Sequence, residues 1–169
     1  MNKKFIAIIG AVSLLSACET ASQKNLVSST STTSGSASSS VDKKKSLFAQ
    51  AKQTAADKLI SVGDRVLFDY DSAKLDSSAK ILLDSQSRFL RANTDLNFIV
   101  EGHCDERGTR EYNLALGEQR ATAVRDYLVI QGIDPDRIKV ISYGKEKPAV
   151  VGSNSMAWSK NRRAVTIID

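Results

Sequence analysis

Residues 100–121 read VEGHCDERGTREYNLALGEQRA, and this stretch constrains the fold more than any other. Its front half continues an apolar/polar alternation that starts at Leu96 and includes β-branched residues, which predicts a strand over residues 96–104. The alternation breaks in the charged turn CDERG, and residues 111–131 then carry Gly117, Ala121, Val124 and Leu128 at helical spacing. A strand that hands over to a long helix through an acidic turn belongs in a layered α/β fold. Asp105 stands at the strand end, and Arg120 follows Leu116 by one helical turn on the face that also carries Asn113. A carboxylate and a guanidinium thus aim at one place from two elements, which suits a zwitterionic ligand.

The rest of the chain supplies the layers. Leu47, Phe48, Ala51, Ala55, Leu59 and Ile60 predict a first helix over residues 46–60. RVLFD at residues 65–69 predicts a strand that runs into the turn YDSAKL, where Asp71 and Ser72 are the turn formers. Asp76 or Ser77 caps a helix that continues to Ala92, with Ala79, Leu82, Leu83, Gln86, Phe89 and Leu90 on its packing face. Gly132 and Pro135 end the long helix, a strand is expected over residues 137–142, and a helical turn over 156–160 leads to a last strand over 163–168. The order is βαβαββ. Strands separated by helices favour parallel pairing through right-handed crossovers, so a two-layer α/β sandwich is expected, with the helices on one sheet.

The N-terminus decides location. Lys3 and Lys4 precede an apolar core over residues 5–15, followed by small residues and Cys18, the pattern of a secretory signal peptide over residues 1–17. Its apolar core of about eleven residues is well short of the roughly 20 that span a bilayer. Residues 22–40 are dominated by Ser and Thr, and such a tract buries too little surface to offset the entropy of ordering. It reads as a flexible tether over residues 18–45, with a coil reach of roughly 25 to 30 Å. One domain follows over residues 46–169.

Composition excludes several functions. The formal charge of +5 falls to +3 once residues 1–17 are removed, and Lys and Arg alternate with Asp and Glu instead of clustering, so nucleic acid is not an expected partner. His103, Cys104 and Asp105 contain the parts of a nucleophilic triad. In an extended strand, however, Cys104 points away from both neighbours, and the chain has no second histidine to act as base. One histidine and one available cysteine do not supply a zinc site either, so no metal and no cofactor are expected. Asp105 and Arg120 remain open to two readings. A structural ion pair at the sheet end explains their spacing, as does a ligand pocket to which Asp71 and Ser72 contribute from the neighbouring strand end.

The motifs LFDYDSAKL, VEGHCDERGTREYNLALGEQRATAV, VISYGKEKPAV and SKNRRAV occur in this order, and LSAC at residues 15–18 matches a lipobox. Together they resemble the peptidoglycan-associated lipoproteins, whose domain is shared with the C-terminal part of outer membrane protein A and with flagellar stator proteins. The resemblance covers residues 62–169. It implies an OmpA-like sandwich with its helices on one mixed sheet, and a nonenzymatic protein that binds peptidoglycan through the diaminopimelate of the stem peptide. On that reading Asp105 accepts hydrogen bonds from the ligand ammonium, and Arg120 holds its carboxylate. Asp71 and Ser72 offer backbone groups, Asn113 and Leu116 shape the helix side, and Arg162 of the NRR motif supports the site. The resemblance further implies lipidation at Cys18 and, because Glu19 is not aspartate, an outer-membrane anchor with the domain facing the periplasm. It also implies work within the Tol-Pal system, in envelope integrity and constriction at division, with the periplasmic Tol β-propeller protein TolB as partner. Cys104 stands where the family usually has threonine, which weakens one hydrogen bond of the turn. A wall-cleaving enzyme with the same pocket is the rival reading, and a motor stator would need a spanning helix that residues 5–15 do not offer.

Overall fold

A computed structural model describes residues 39–169, with side chains from residue 44 onward. The signal peptide at residues 1–17, Cys18 and the tether up to residue 38 lie outside the described residues. The elements are α1 (Ser39–Val62), β1 (Arg65–Leu67), α2 (Ser77–Ala92), β2 (Phe98–His103), α3 (Arg110–Ile130), a 3-10 turn (Pro135–Arg137), β3 (Ile138–Gly144), α4 (Ser155–Asn161) and β4 (Arg163–Ile168). The βαβαββ order and the two-layer sandwich on one mixed sheet are both present.

Pairing departs from the expected crossovers. The sheet order is β1-β4-β2-β3, and only β2 and β3 pair in parallel. The last strand inserts between the first two and runs antiparallel to both. RAVTII is buried over its first four residues, as a central strand should be, whereas β1 has three residues with only Val66 buried and forms an edge.

Helix ends follow side-chain capping. The Asp76 carboxylate accepts from the Ala79 N–H at 2.6 Å, Thr109 Oγ1 from Tyr112 N–H at 3.2 Å, and Asn154 Oδ1 from Ala157 N–H at 2.9 Å. The first helix begins at Ser39, seven residues before the expected start, because residues 41–62 contain neither Gly nor Pro and are rich in Lys, Ala and Gln. Its expected apolar face is only half used. Ala55 and Leu59 are buried, whereas Leu47 is 59% and Phe48 55% exposed, and Ile60 is also exposed.

The core lies between the helices and one sheet face. Leu83 and Leu90 of α2, Ala121, Val124 and Leu128 of α3, and Val66, Phe98, Val100 and Ala164 of the sheet form one cluster. Gln86, on the otherwise apolar α2 face, is satisfied there: its amide donates to Gly63 O at 2.7 Å and accepts from Thr166 Oγ1 at 3.0 Å.

One contact sets the height of α3 above the sheet. A Cβ on Gly102 would lie 1.8 Å from the Gly117 carbonyl oxygen, and one on Gly117 would lie 2.4 Å from Ser142 Oγ. Ser142 Oγ in turn donates to Leu114 O at 2.6 Å. The helix backbone therefore rests on the β2 backbone, which brings Asn113, Leu116 and Arg120 down to the strand ends. Gly102→Ala should force these layers apart and cost about 3 kcal/mol or more, beyond ordinary overpacking because the obstacle is backbone. Urea denaturation of purified protein checks this.

Candidate functional site

At the C-terminal ends of β1 and β2 lies a small open cleft of about 50 Å³, lined by Tyr70, Asp71, Cys104, Asp105, Arg107, Gly108, Tyr112, Asn113, Leu116, Arg120 and Arg162. Asp71, Asp105, Asn113, Leu116, Arg120 and Arg162, all singled out from sequence, meet here. Ser72 does not line the cleft; its carbonyl oxygen instead accepts from Arg120 Nε at 2.8 Å.

Arg120 is completely buried. Besides the bond to Ser72, Nη1 donates to His103 O at 2.9 Å and to Cys104 Sγ at 3.3 Å, and Nη2 donates to Asp69 O at 3.1 Å. Four of the five guanidinium N–H groups are thus engaged, three of them by backbone carbonyls from two separate loops. Burial lowers its pKa, and the guanidinium nevertheless remains a cation. The expected alternative of an Asp105–Arg120 ion pair is not what forms. Asp105 pairs with Arg107 at 2.6 Å and with Arg162 at 3.3 Å. The sequence spacing brought Asp105 and Arg120 to the same cleft, but the carbonyls ending β1 and β2 claimed the guanidinium first.

Asp105 is itself buried. Burial raises its carboxyl pKa, but hydrogen bonds from the Arg107 side chain and N–H and from Arg162 outweigh it, leaving the group below its ordinary value and ionised. Its Oδ1 accepts both the Arg107 N–H at 3.1 Å and Arg107 Nε at 3.1 Å. Asn113 fixes the same loop by donating to Arg107 O at 2.7 Å and Thr109 O at 3.0 Å. Arg162 Nε donates to Phe68 O at 3.0 Å, so this side chain closes β1 while touching Asp105. Asp71 has φ of 53°, the left-handed turn conformation that Asp tolerates better than most residues, and it accepts from the Tyr112 hydroxyl.

Three features escaped sequence reading. Arg107 is the main partner of Asp105, and the only local hint was the D-x-R spacing of an Asx turn. Tyr70 and Trp158 flank Arg107, each with its ring 4.2 Å from the guanidinium carbon, and no local pattern announces a contact across 51 residues. Cys104 and Asp105 face the same cleft, contrary to strict strand alternation, because β2 ends at His103 after a bulge at Gly102/His103. The thiol donates to Asn113 O at 3.3 Å, and burial pushes its pKa up. It is a packed donor, and the imidazole lies elsewhere.

His103 turns to the opposite sheet face. It stacks on Tyr143 with centroids 5.6 Å apart and has Nε2 3.6 Å from Glu101 Oε2. Arg163 of the NRR motif lies on this side too, so of the two arginines only Arg162 reaches the cleft. Neither ring nitrogen of His103 has a hydrogen-bond partner among the described residues.

Comparison with known proteins is consistent across sequence and structure. The OmpA family model matches residues 67–162. A peptidoglycan-associated lipoprotein of Rhizobium meliloti is 51% identical over 109 residues, 64% of this chain and 62% of that protein. One from Mesorhizobium japonicum is 49% identical over 115 residues, 68% of each. The chain therefore spans less than two thirds of the length of the Rhizobium relative. The crystal structure of the peptidoglycan-associated lipoprotein from Burkholderia pseudomallei superposes with a TM-score of 0.61 at 38% identity, covering 63% of this chain and 90% of that one. The chain belongs to the OmpA family. Within that family it resembles the peptidoglycan-associated lipoproteins.

Two measurements test the site electrostatics. Arg120→Met should leave the buried His103 carbonyl and the half-buried Ser72 and Asp69 carbonyls without their donor and destabilise the fold by about 3 kcal/mol, an orphaned buried acceptor costing about 1–3 kcal/mol before relaxation; thermal denaturation reads this directly. Burial first, and the nearby Arg163 and Lys147 charges second, push the His103 pKa down to about 4, from 6.5 for a free imidazole. Between those values the unfolded chain binds a proton that the folded chain refuses. Stability should therefore fall as pH drops from about 6.5 to 4, by up to about 1.4 kcal/mol per unit, and level off below. Urea titrations across this range should show a slope that His103→Phe flattens.

Proposed function

We propose that the protein is a nonenzymatic, peptidoglycan-associated outer-membrane lipoprotein that grips the diaminopimelate of the stem peptide in the cleft beyond β1 and β2. The observation that carries this reading is a buried, ionised carboxylate at Asp105 surrounded by guanidinium groups, in a cleft open to solvent. The distal centre of diaminopimelate bears an ammonium and a carboxylate on one carbon. Asp105, with Asp71 nearby, takes the ammonium. Arg120 has one N–H not engaged by any of the described residues, and it holds the ligand carboxylate with help from Arg162. Leu116 and Asn113 bound the helix side, and the backbone of Ser72 acts through Arg120. Likeness to relatives that bear the name peptidoglycan-associated lipoprotein supports peptidoglycan as the partner.

The N-terminal sequence completes the proposal. Cleavage before Cys18 and acylation of its thiol anchor the chain in the outer membrane, since several acyl chains hold where one would not. The Ser/Thr tether then lets the domain reach the wall. Charge-assisted bonds contribute about 1.5–3 kcal/mol each, so one site gives a reversible grip, and many sites hold membrane to wall together. The corresponding system is Tol-Pal, with the periplasmic β-propeller TolB as the protein partner, acting in envelope integrity and constriction at division.

Cosedimentation with sacculi tests the proposal, using the processed chain carrying Cys18→Ser. The protein should pellet with diaminopimelate-containing sacculi without releasing muropeptides, and it should pellet poorly with sacculi whose stem peptides carry lysine. Asp105→Asn should weaken binding by about tenfold or more, the loss of one charge-assisted contact. Asp105 is a better probe than Arg120, whose removal also unties the fold. Full binding by folded Asp105→Asn protein would sink the site assignment, and released muropeptides would favour a wall-cleaving enzyme.

A further inference from the structure

Within the proposed site the resting Asp105 carboxylate is already occupied. Arg107 meets it through two parallel bonds, Nη2 to Oδ2 at 2.6 Å and Nε to Oδ1 at 3.1 Å, the fork geometry that guanidinium and carboxylate favour. An incoming ammonium must take the position that Arg107 holds. The side chain is 35% exposed on the cleft rim, and Tyr70 and Trp158 clasp it on both faces. Trp158 is held in turn by its indole N–H, which donates to Glu106 Oε1 at 2.9 Å. These rings hold the guanidinium while it is paired with the acid, and their contact does not depend on that pair.

We propose that Arg107 is the specificity-determining residue of the cleft, acting by ion-pair exchange. An amine without a carboxylate breaks the Asp105–Arg107 pair and leaves a guanidinium unpaired at a partly desolvated rim. A ligand carrying an ammonium and a carboxylate on one carbon takes over Asp105 with the first and re-pairs Arg107 with the second. Asp105 keeps its pair with Arg162, and the broken Arg107 pair is replaced by two, ammonium to Asp105 and carboxylate to Arg107. Arg120 cannot make this distinction by moving, because it is fully buried and fixed to Asp69, Ser72 and His103. The part of the selection made by exchange therefore belongs to the half-buried arginine at the rim.

The inference rests on the reading of the cleft as a diaminopimelate site, and two pairs of measurements separate them. Calorimetric titration of the processed Cys18→Ser chain uses meso-diaminopimelate and 1,5-diaminopentane, which is the same carbon chain without either carboxylate. Wild type should prefer diaminopimelate by about tenfold or more, one ion pair's worth. In Arg107→Met, which keeps an unbranched chain between the rings, diaminopentane should bind more tightly than to wild type and the preference should fall severalfold, to the part that Arg120 and Arg162 supply. Arg107→Lys should restore part of it, which a merely structural role would not do. An unchanged preference in Arg107→Met overturns the exchange, as does equal loss of both ligands in a variant whose melting curve matches wild type. Asp105→Asn probes the underlying reading instead: if it binds diaminopimelate as wild type does, the site assignment fails and the exchange falls with it.

Discussion

The fold around the cleft depends on a cation that has no carboxylate partner. Arg120 is buried completely and donates to Asp69 O, Ser72 O and His103 O. Those oxygens come from the β1–α2 turn and from the end of β2, segments separated by more than thirty residues. Moving an isolated charge out of water is costly, and here four of the five guanidinium donors find acceptors that offset the cost. Three of the acceptors are backbone carbonyls at strand ends, which would themselves be orphaned without the guanidinium. Cation and loops are therefore mutually required. The packing of α3 on the Gly102 backbone is what lets a side chain of arginine's length reach all three.

This arrangement alters what Arg120 can contribute to binding. A residue that ties loops together brings rigidity, because the carbonyls it holds belong to the segments carrying Asp71 and Asp105. Asn113 does the same for the 105–109 loop. The two residues occupy one helix face at seven-residue spacing and act on opposite walls of the cleft. Preorganisation of this kind reduces the entropy lost when a small ligand is ordered.

Much of this was legible in the sequence, for physical reasons that can be named. Helix α2 carries strong 3.6-residue periodicity, α3 carries a narrower apolar stripe on a face it shares with Asn113 and Arg120, and both have side-chain caps, so Leu83, Leu90, Ala121, Val124 and Leu128 could be assigned to the core beforehand. The convergence of Asp105, Asn113, Leu116 and Arg120 followed from strand end and helix face alone. Strand order did not, because the insertion of β4 between β1 and β2 depends on which edges remain open after β3 is laid down, and no local pattern records that. The partner of Asp105 was also hidden. Arg107 and Arg162 lie two and fifty-seven residues away, and spacing could not tell them from Arg120. Likewise the exposed Leu47 and Phe48 show that helical periodicity predicts a helix face without saying where the body beneath it stops.

The charges of the cleft explain why its grip should be reversible. Asp71 and Asp105 face Arg107, Arg120 and Arg162, so the cleft carries a net charge of about +1. Nearly all of that charge is paired before any ligand arrives: Arg120 by carbonyls, Asp105 by two arginines, Asp71 by the Tyr112 hydroxyl. A site that left its carboxylate bare would gain more on binding, but it would also bear the cost of a buried unpaired anion in every unbound molecule. Internal pairing keeps the empty domain stable and converts binding from the creation of ion pairs into their exchange. The affinity of each site is then set by a small difference between similar terms, which would suit the reversible anchor proposed above.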